Sequence, residues 1–398
     1  MPFVLYLLAL VVFAMGTSEF MLSGLVQDIA AGFDVPVATA GVLTSAFAVG
    51  MVVGAPLMAA ITRRLPVRGS LLAFILLFAA AHVVAATTSD FTVLVVTRMV
   101  AAFVNAGFLA VALTASARLV GPTNKGRAVA VLLAGTTVAT VAGVPAGAAF
   151  GAAWGWQSTF WAIAVLCVPA AVGVTIGFNP RVARLTDEER PPELTSEIAQ
   201  LAAPRLIMAM ILAALVNAGT FAALTFLAPV ATDVAGLERW WVPMVLVLFG
   251  IGSFAGVTIA GRLSDRRPRP VLIIGGGGLI VGWVGLAVSS SNPTAFLCLV
   301  FVQGVLSFGV GSTLITRVLY AANAAPTMGG SYATAALNVG AVAGPLVGAM
   351  ALATPLGLTR PIWVAAIASG LALLIAIPAM GLIAPRGIRS DGLAESRP

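Results

Sequence analysis

The sequence predicts an all-α membrane protein: twelve transmembrane helices in two pseudo-symmetric six-helix bundles. Three observations carry that expectation. First, 60% of the chain is hydrophobic and only 9% is charged, whereas a soluble domain carries about 25% charged residues. So few charges cannot cover the apolar surface, so the solvent is lipid. Second, apolar runs of about 20 residues, long enough to cross a hydrocarbon core, recur along all 398 residues. Third, the halves repeat one another. Gly50 and Gly54 match Gly252 and Gly256, Pro66 matches Pro268, and Gly107 matches Gly309, all at one spacing. At nearly the same spacing Gly16 and Thr17 match Gly219 and Thr220, and Gly143 and Pro145 correspond to Gly344 and Pro345.

The runs are read as helices because backbone groups in lipid must bond within their own segment. The first, near 3–25, is apolar apart from Glu19. The second, 39–60, stops before Arg63 and Arg64, and the third, 70–88, starts after Arg68. The fourth, 92–118, holds Arg98 inside it and ends at Arg118; the fifth, 127–150, follows Lys125 and contains "AGVPAG". The sixth, 157–178, carries Cys167 mid-run. A polar stretch with four prolines then separates six spans from six. The seventh, 205–228, begins at Arg205, and the eighth, 241–262, ends at Arg262. The ninth, 270–290, includes the Gly275–Gly278 run. The tenth, 294–320, carries Cys298, the eleventh, 328–352, carries "GPLVG", and the twelfth is 360–383.

Charge placement orients the array. Of 21 Lys and Arg, only Arg239 and Arg360 fall in the gaps assigned to the outside, and Arg98 lies within a span; all the others collect in the alternate gaps and the tail. By the positive-inside rule both termini are cytoplasmic. The expected organisation is an N-terminal bundle 1–178, a solvated cytoplasmic linker 179–204, a C-terminal bundle 205–384 and a cytoplasmic tail 385–398. The N-terminus lacks a basic leader region, so the first run is expected to stay as a multi-pass plasma-membrane anchor. The net charge of +7 reads as topology signal, not as a nucleic-acid surface. Neither a disulfide framework nor a metal site is visible. The glycine run lacks the Gly-Lys-Ser/Thr ending of a phosphate loop, so ATP is not the expected energy source.

Several motifs carry a resemblance. "GRLSDRRPR" resembles the signature that major facilitator transporters place after their second and eighth helices, which implies a conformational lock at Gly261, Arg262, Asp265 and Arg266. In the first half Arg63 stands where the second half has Asp265. "VTRMVAAFVNAG" resembles the fourth-helix motif with its membrane-embedded arginine, here Arg98, and "AGVPAG" resembles the antiporter motif of drug:proton exporters. "GTSEFMLSGL", "LTSAFAVGMVVGAPLMA", "NAGFLAVAL" and "AALNVGAVAGP" together are similar to actinomycete chloramphenicol-resistance exporters of the twelve-helix drug:proton antiporter family. The resemblance implies a monomeric exporter without cofactor, driven by the proton gradient, whose partners are a small drug molecule, protons and the lipid bilayer. It alone supplies chloramphenicol as substrate. A sugar or other metabolite is the alternative cargo, and a membrane-embedded enzyme the remote one.

Glu19 is the residue on which the mechanism turns. A carboxylate in the bilayer costs several kcal/mol unless it is neutral, paired or wetted. Burial favours the neutral acid and a nearby cation favours the ion, so a site that alternates between these environments takes up and drops a proton. Arg98 is the other full charge well inside a span. At 1.5 Å per residue Glu19 lies about 7 Å and Arg98 about 10 Å from mid-span, on the same side, so the two are expected to meet directly or through water. Asp28, near the outer end of the first span, is the next proton-coupling candidate.

The remaining candidates are neutral. Met15, Phe47, Met51 and Phe221 offer soft or aromatic walls suited to varied shapes. Asn105 and Asn338 offer hydrogen bonds to a ligand, and Glu19 joins this set. Gly143, Pro145, Gly147, Gly344 and Pro345 are read as mechanical, because proline removes a backbone bond and glycine lets helices approach. His82 is read as a packed polar residue, since a proton role requires a partner.

Overall fold

The computed structural model of the chain describes residues 3–62, 65–118, 131–132, 134–136, 138–177, 194–263, 267–325, 328–352 and 357–383. Among these, twelve helices are long and apolar enough to cross a membrane. The elements are α1 (Phe3–Phe20), α2 (Leu22–Gly32), α3 (Val37–Thr62), α4 (Val67–Thr87), α5 (Phe91–Arg118), α6 (Val144–Trp154), α7 (Trp156–Gly177), α8 (Leu194–Ala199), α9 (Pro204–Thr225), α10 (Leu227–Asp233), α11 (Val242–Leu263), α12 (Pro268–Ser289), α13 (Pro293–Ala321), α14 (Gly329–Leu352) and α15 (Arg360–Ile383). No strand occurs among the described residues.

The outward surface is what lipid requires. Ile274, Val281 and Val288 stand seven residues apart on α12 and are 74%, 73% and 70% exposed. Seven residues is close to two helical turns, so they form one apolar stripe. Within the spans the buried faces gather into two main cores, one built from α1 to α5 with α7, and one from α9 to α15 joined by Val144 and Ala148 of α6.

The internal repeat governs the packing. α3 lies on α5 as α11 lies on α13, α4 lies on α7 as α12 lies on α15, and α1 lies on α7 as α9 lies on α15. The matched glycines do the same work in each half. A Cβ at Gly50 would press on the Met99 carbonyl of α5, and one at Gly252 on the Phe301 carbonyl of α13. The halves join through α3 against α14, and through α6 and its preceding turn against α11.

Three expectations need amendment. The first span does not run unbroken over 3–25: it stops at Phe20, resumes at Leu22 and reaches Gly32. The seventh breaks likewise at Phe226, between α9 and α10. Each break frees carbonyls of the preceding last turn, which then seek other donors. The fifth span contains a π-helical turn, Ala139–Gly143, directly before Pro145 in the first turn of α6; a proline cannot donate to the regular ladder, and a π-turn is one way a helix absorbs that loss.

The third amendment concerns the linker, whose described part is largely exposed but is anchored at one buried point. α8 and the 3-10 turn Gln200–Ala202 dock on the C-terminal bundle, and Glu197 is 0% exposed. Its Oε2 accepts from the Met328 amide (2.8 Å), and the Tyr332 hydroxyl donates to its main-chain oxygen (2.8 Å). The start of α14 offers amides without helical partners, and a carboxylate is a natural cap for them.

Candidate functional site

The site is built around the end of α1. Ser18 lies in the last turn of α1, where carbonyls run out of helical donors. Arg98, on α5, is 1% exposed and donates there twice: Nη1 to the Ser18 hydroxyl and Nη2 to the Ser18 carbonyl, each at 2.7 Å. Its guanidinium lies over the Phe47 ring of α3, 4.5 Å from the centroid, a cation–π contact worth roughly 2 kcal/mol when desolvated. Its Nε has no partner among the described residues.

Glu19 is half-buried beside this cluster. It lies within electrostatic range of Arg98, yet the two form no ion pair within 4.0 Å. Its carboxyl makes no hydrogen bond to any described residue. The expected meeting is therefore indirect here, because Ser18 occupies the forked donors of Arg98.

His82 of α4 completes the network. Its Nε2 is 2.7 Å from the Ser18 Oγ, and its Nδ1 is 2.8 Å from the Phe78 carbonyl. The ring is 1% exposed and packs between Phe78 and Phe160, centroids at 4.2 and 5.8 Å. A carbonyl only accepts, so Nδ1 carries the proton and Nε2 accepts from the Ser18 hydroxyl.

The other candidates are placed as follows. Met15 and Met51 are buried in the N-terminal core, together with Phe47. Asn105 is 1% exposed and its Oδ1 is unpartnered among the described residues; so are the hydroxyls of Thr17 on α1 and Thr44 on α3. Phe221 stands at the seam between the halves, its ring 5.8 Å from that of Phe20, beside Ala48 and Ala341. Asn338 is buried on α14 and donates to Thr334 of its own helix at 2.9 Å.

Asp28 lies away from Arg98. It accepts from Arg239 at 2.6 Å, tying α2 to the turn Arg239–Trp241 that precedes α11. Gln27 donates to Thr232 of α10 beside it at 3.3 Å. A cleft of about 490 Å³ opens here, lined by Asp34, Thr232, Asp233 and Arg239 among others. This is the end that the basic-residue split assigns to the outside, and the two halves touch across it.

Of the mechanical candidates, Gly143 closes the π-helical turn and faces Thr17, whose hydroxyl a Cβ would strike. Gly147 accepts from the Thr159 hydroxyl at 2.8 Å. Gly344 lies against the Ala218 carbonyl of α9, and Pro345 follows it inside α14. Gly261 and Arg262 fall in the last turn of α11. Asp265 and Arg266 lie outside the described residues altogether.

Sequence reasoning missed Ser18, Thr17 and Thr44. The one signal available was their placement: Thr17 and Ser18 directly precede Glu19.

Residues 8–335 match the family model described as the Major Facilitator Superfamily. A chloramphenicol resistance protein from Streptomyces lividans is 61% identical, covering 95% of this chain and 96% of its own. The inner membrane transport protein YdhP of Escherichia coli strain K12 is 30% identical, covering 92% and 93% respectively. The crystal structure of the nucleoside transporter NupG superposes with a TM-score of 0.76 over 96% of this chain and 99% of its own, at 15% identity. That likeness speaks to the fold.

Proposed function

The chain belongs to the major facilitator superfamily, and from that premise we propose that it is a proton-coupled efflux transporter for chloramphenicol or a closely related neutral amphipathic antibiotic. Near-full-length identity to the Streptomyces protein supports the cargo. The observation that carries the mechanism is Glu19: a half-buried acid without a hydrogen-bond partner among the described residues, beside a buried arginine that donates to Ser18 instead.

Exchange then works by alternating access around a midplane site. Drug enters from the cytoplasm while Glu19 is ionised; a proton arriving from outside neutralises it, favours release and resets the carrier. Chloramphenicol presents an aromatic ring, hydroxyls and an amide. Phe47, Met51, Met15 and Phe221 supply apolar wall. The unpartnered polar atoms of Asn105, Thr17 and Thr44 supply hydrogen bonds, and Asn338 offers its amide from the second half. A neutral cargo leaves selection to shape and a few polar contacts. Gly143, Pro145, Gly147, Gly344 and Pro345 serve the rocking motion, with Asp265 and its basic neighbours locking the inner ends. Both termini face the cytoplasm, and the unit is a monomer.

The test is accumulation of labelled chloramphenicol in cells with and without the protein, before and after the proton gradient is collapsed. Export should vanish on collapse, and Glu19→Gln should abolish uphill export while the protein still reaches the membrane. Full pumping by Glu19→Gln rejects the assignment.

A further inference from the structure

We propose that His82 is a positioning residue which, through the Ser18 hydroxyl, holds Arg98 off Glu19 and so keeps that carboxyl free to receive a proton. The role rests on the reading of Glu19 as proton carrier, but its geometry stands independently.

Left to choose, a guanidinium prefers a carboxylate, since charge-assisted, two-pronged bonds are about twice as strong as neutral ones. Glu19 is the residue after Ser18, and Arg98 nevertheless spends Nη1 and Nη2 on Ser18. The reason is the orientation of the hydroxyl. Nδ1 of His82 is committed to the Phe78 carbonyl, so Nε2 is bare and draws the Ser18 hydroxyl proton toward itself. That turns a lone pair of the Ser18 Oγ onto Arg98. Without the imidazole the hydroxyl is free to rotate, and the guanidinium loses an acceptor fixed in place.

Among the described residues no other charge competes at this point. The elements packed on α1 bring few ionisable groups besides Arg98. Asp28 on α2 is held by Arg239, Arg118 ends α5 about five turns from Arg98, and the Cys167 thiol of α7 is bonded to the Ile163 carbonyl. α3 and α6 carry none. His82 itself is anchored by ring contacts on two sides, as a positioning group must be.

A hydrophobic carbodiimide tests this, because it modifies a carboxyl in its protonated form and its adduct on Glu19 is read by peptide mass, without any transport. Glu19→Gln sets the background. In purified full-length protein at fixed pH, His82→Leu and Ser18→Ala should each slow labelling of Glu19 about tenfold, the equivalent of one strong charge-assisted hydrogen bond from Arg98 to Glu19. The double variant should be no slower than either single one, as expected of residues acting in one chain of contacts. His82→Gln, whose amide oxygen accepts from the hydroxyl, should keep the wild-type rate. Folded His82→Leu that labels like wild type overturns the proposal; if that variant does not fold, Ser18→Ala decides by the same criterion. Should labelling shift as described while Glu19→Gln still pumps uphill, His82 retains its positioning role and the coupling role of Glu19 falls.

Discussion

Arg98 shows how much one side chain is asked to do. It is taken out of water, stacked on Phe47, and fastened to the hydroxyl and carbonyl of one residue. Lysine cannot reproduce this, because an ammonium lacks the planar fork and the stacking face. Arg98→Lys should therefore reach the membrane but lose initial export rate by at least about tenfold, the scale of one lost charge-assisted hydrogen bond, as read in inverted vesicles under an imposed gradient. A variant with wild-type rates would show that only the positive charge matters. Glu19 and Arg98 stood out in the sequence because a full charge inside an apolar run is costly unless it is neutralised, paired or wetted. Their intermediary did not. Ser18 and His82 are 64 residues apart, neither carries a charge that stands out, and nothing in the spacing pairs them.

The spans themselves could be read because length and apolarity alone decide what crosses a bilayer, and the matched glycines announced the repeat. The breaks could not. Phe20, Met21 and Leu22 are apolar on both sides of the interruption, and no proline or glycine marks it; tertiary packing overrides local preference there. The fifth span shows the opposite case, since "AGVPAG" marked a departure from regular helix and a π-helical turn lies there. Gly143 lets α1 approach this turn, with Thr17 filling the space a side chain would need. Gly143→Ala should lower stability by roughly 1–3 kcal/mol, the usual cost of overpacking, measured as a drop in thermal unfolding temperature of detergent-solubilised protein. Adding Thr17→Ala should restore much of it. Failure of that rescue would mean the backbone of the turn, and not the Thr17 contact, sets the cost.

At the scale of the whole molecule, the two halves meet through Asp28 and Arg239, Gln27 and Thr232, and Phe20 and Phe221, toward the end that the basic-residue split assigns to the outside. These partners lie more than 200 residues apart in sequence, as the 211-residue gap between Asp28 and Arg239 illustrates, so no local pattern could join them. With Arg239 70% exposed, the ion pair stabilises this state by no more than about 1 kcal/mol, which suits a contact that must open each cycle. Cysteines at 28 and 239, in a background where Cys167 and Cys298 are serine, should be joined by a short bifunctional thiol reagent. The bridge should stop export, and a reducible linker should restore it on cleavage. Undiminished export by the bridged protein would show that this end never parts. The docked segment from Leu194 to Ala202 bears on the same motion. Because Glu197 caps α14, the strap travels as cargo of the second bundle, and the two halves are unequal luggage on a shared tether. If the transporter is produced as two polypeptides, a cut ahead of Leu194 should leave a working pair, whereas a cut after Ala202 should strand the strap on the wrong piece and unseat the helix that guards the seam.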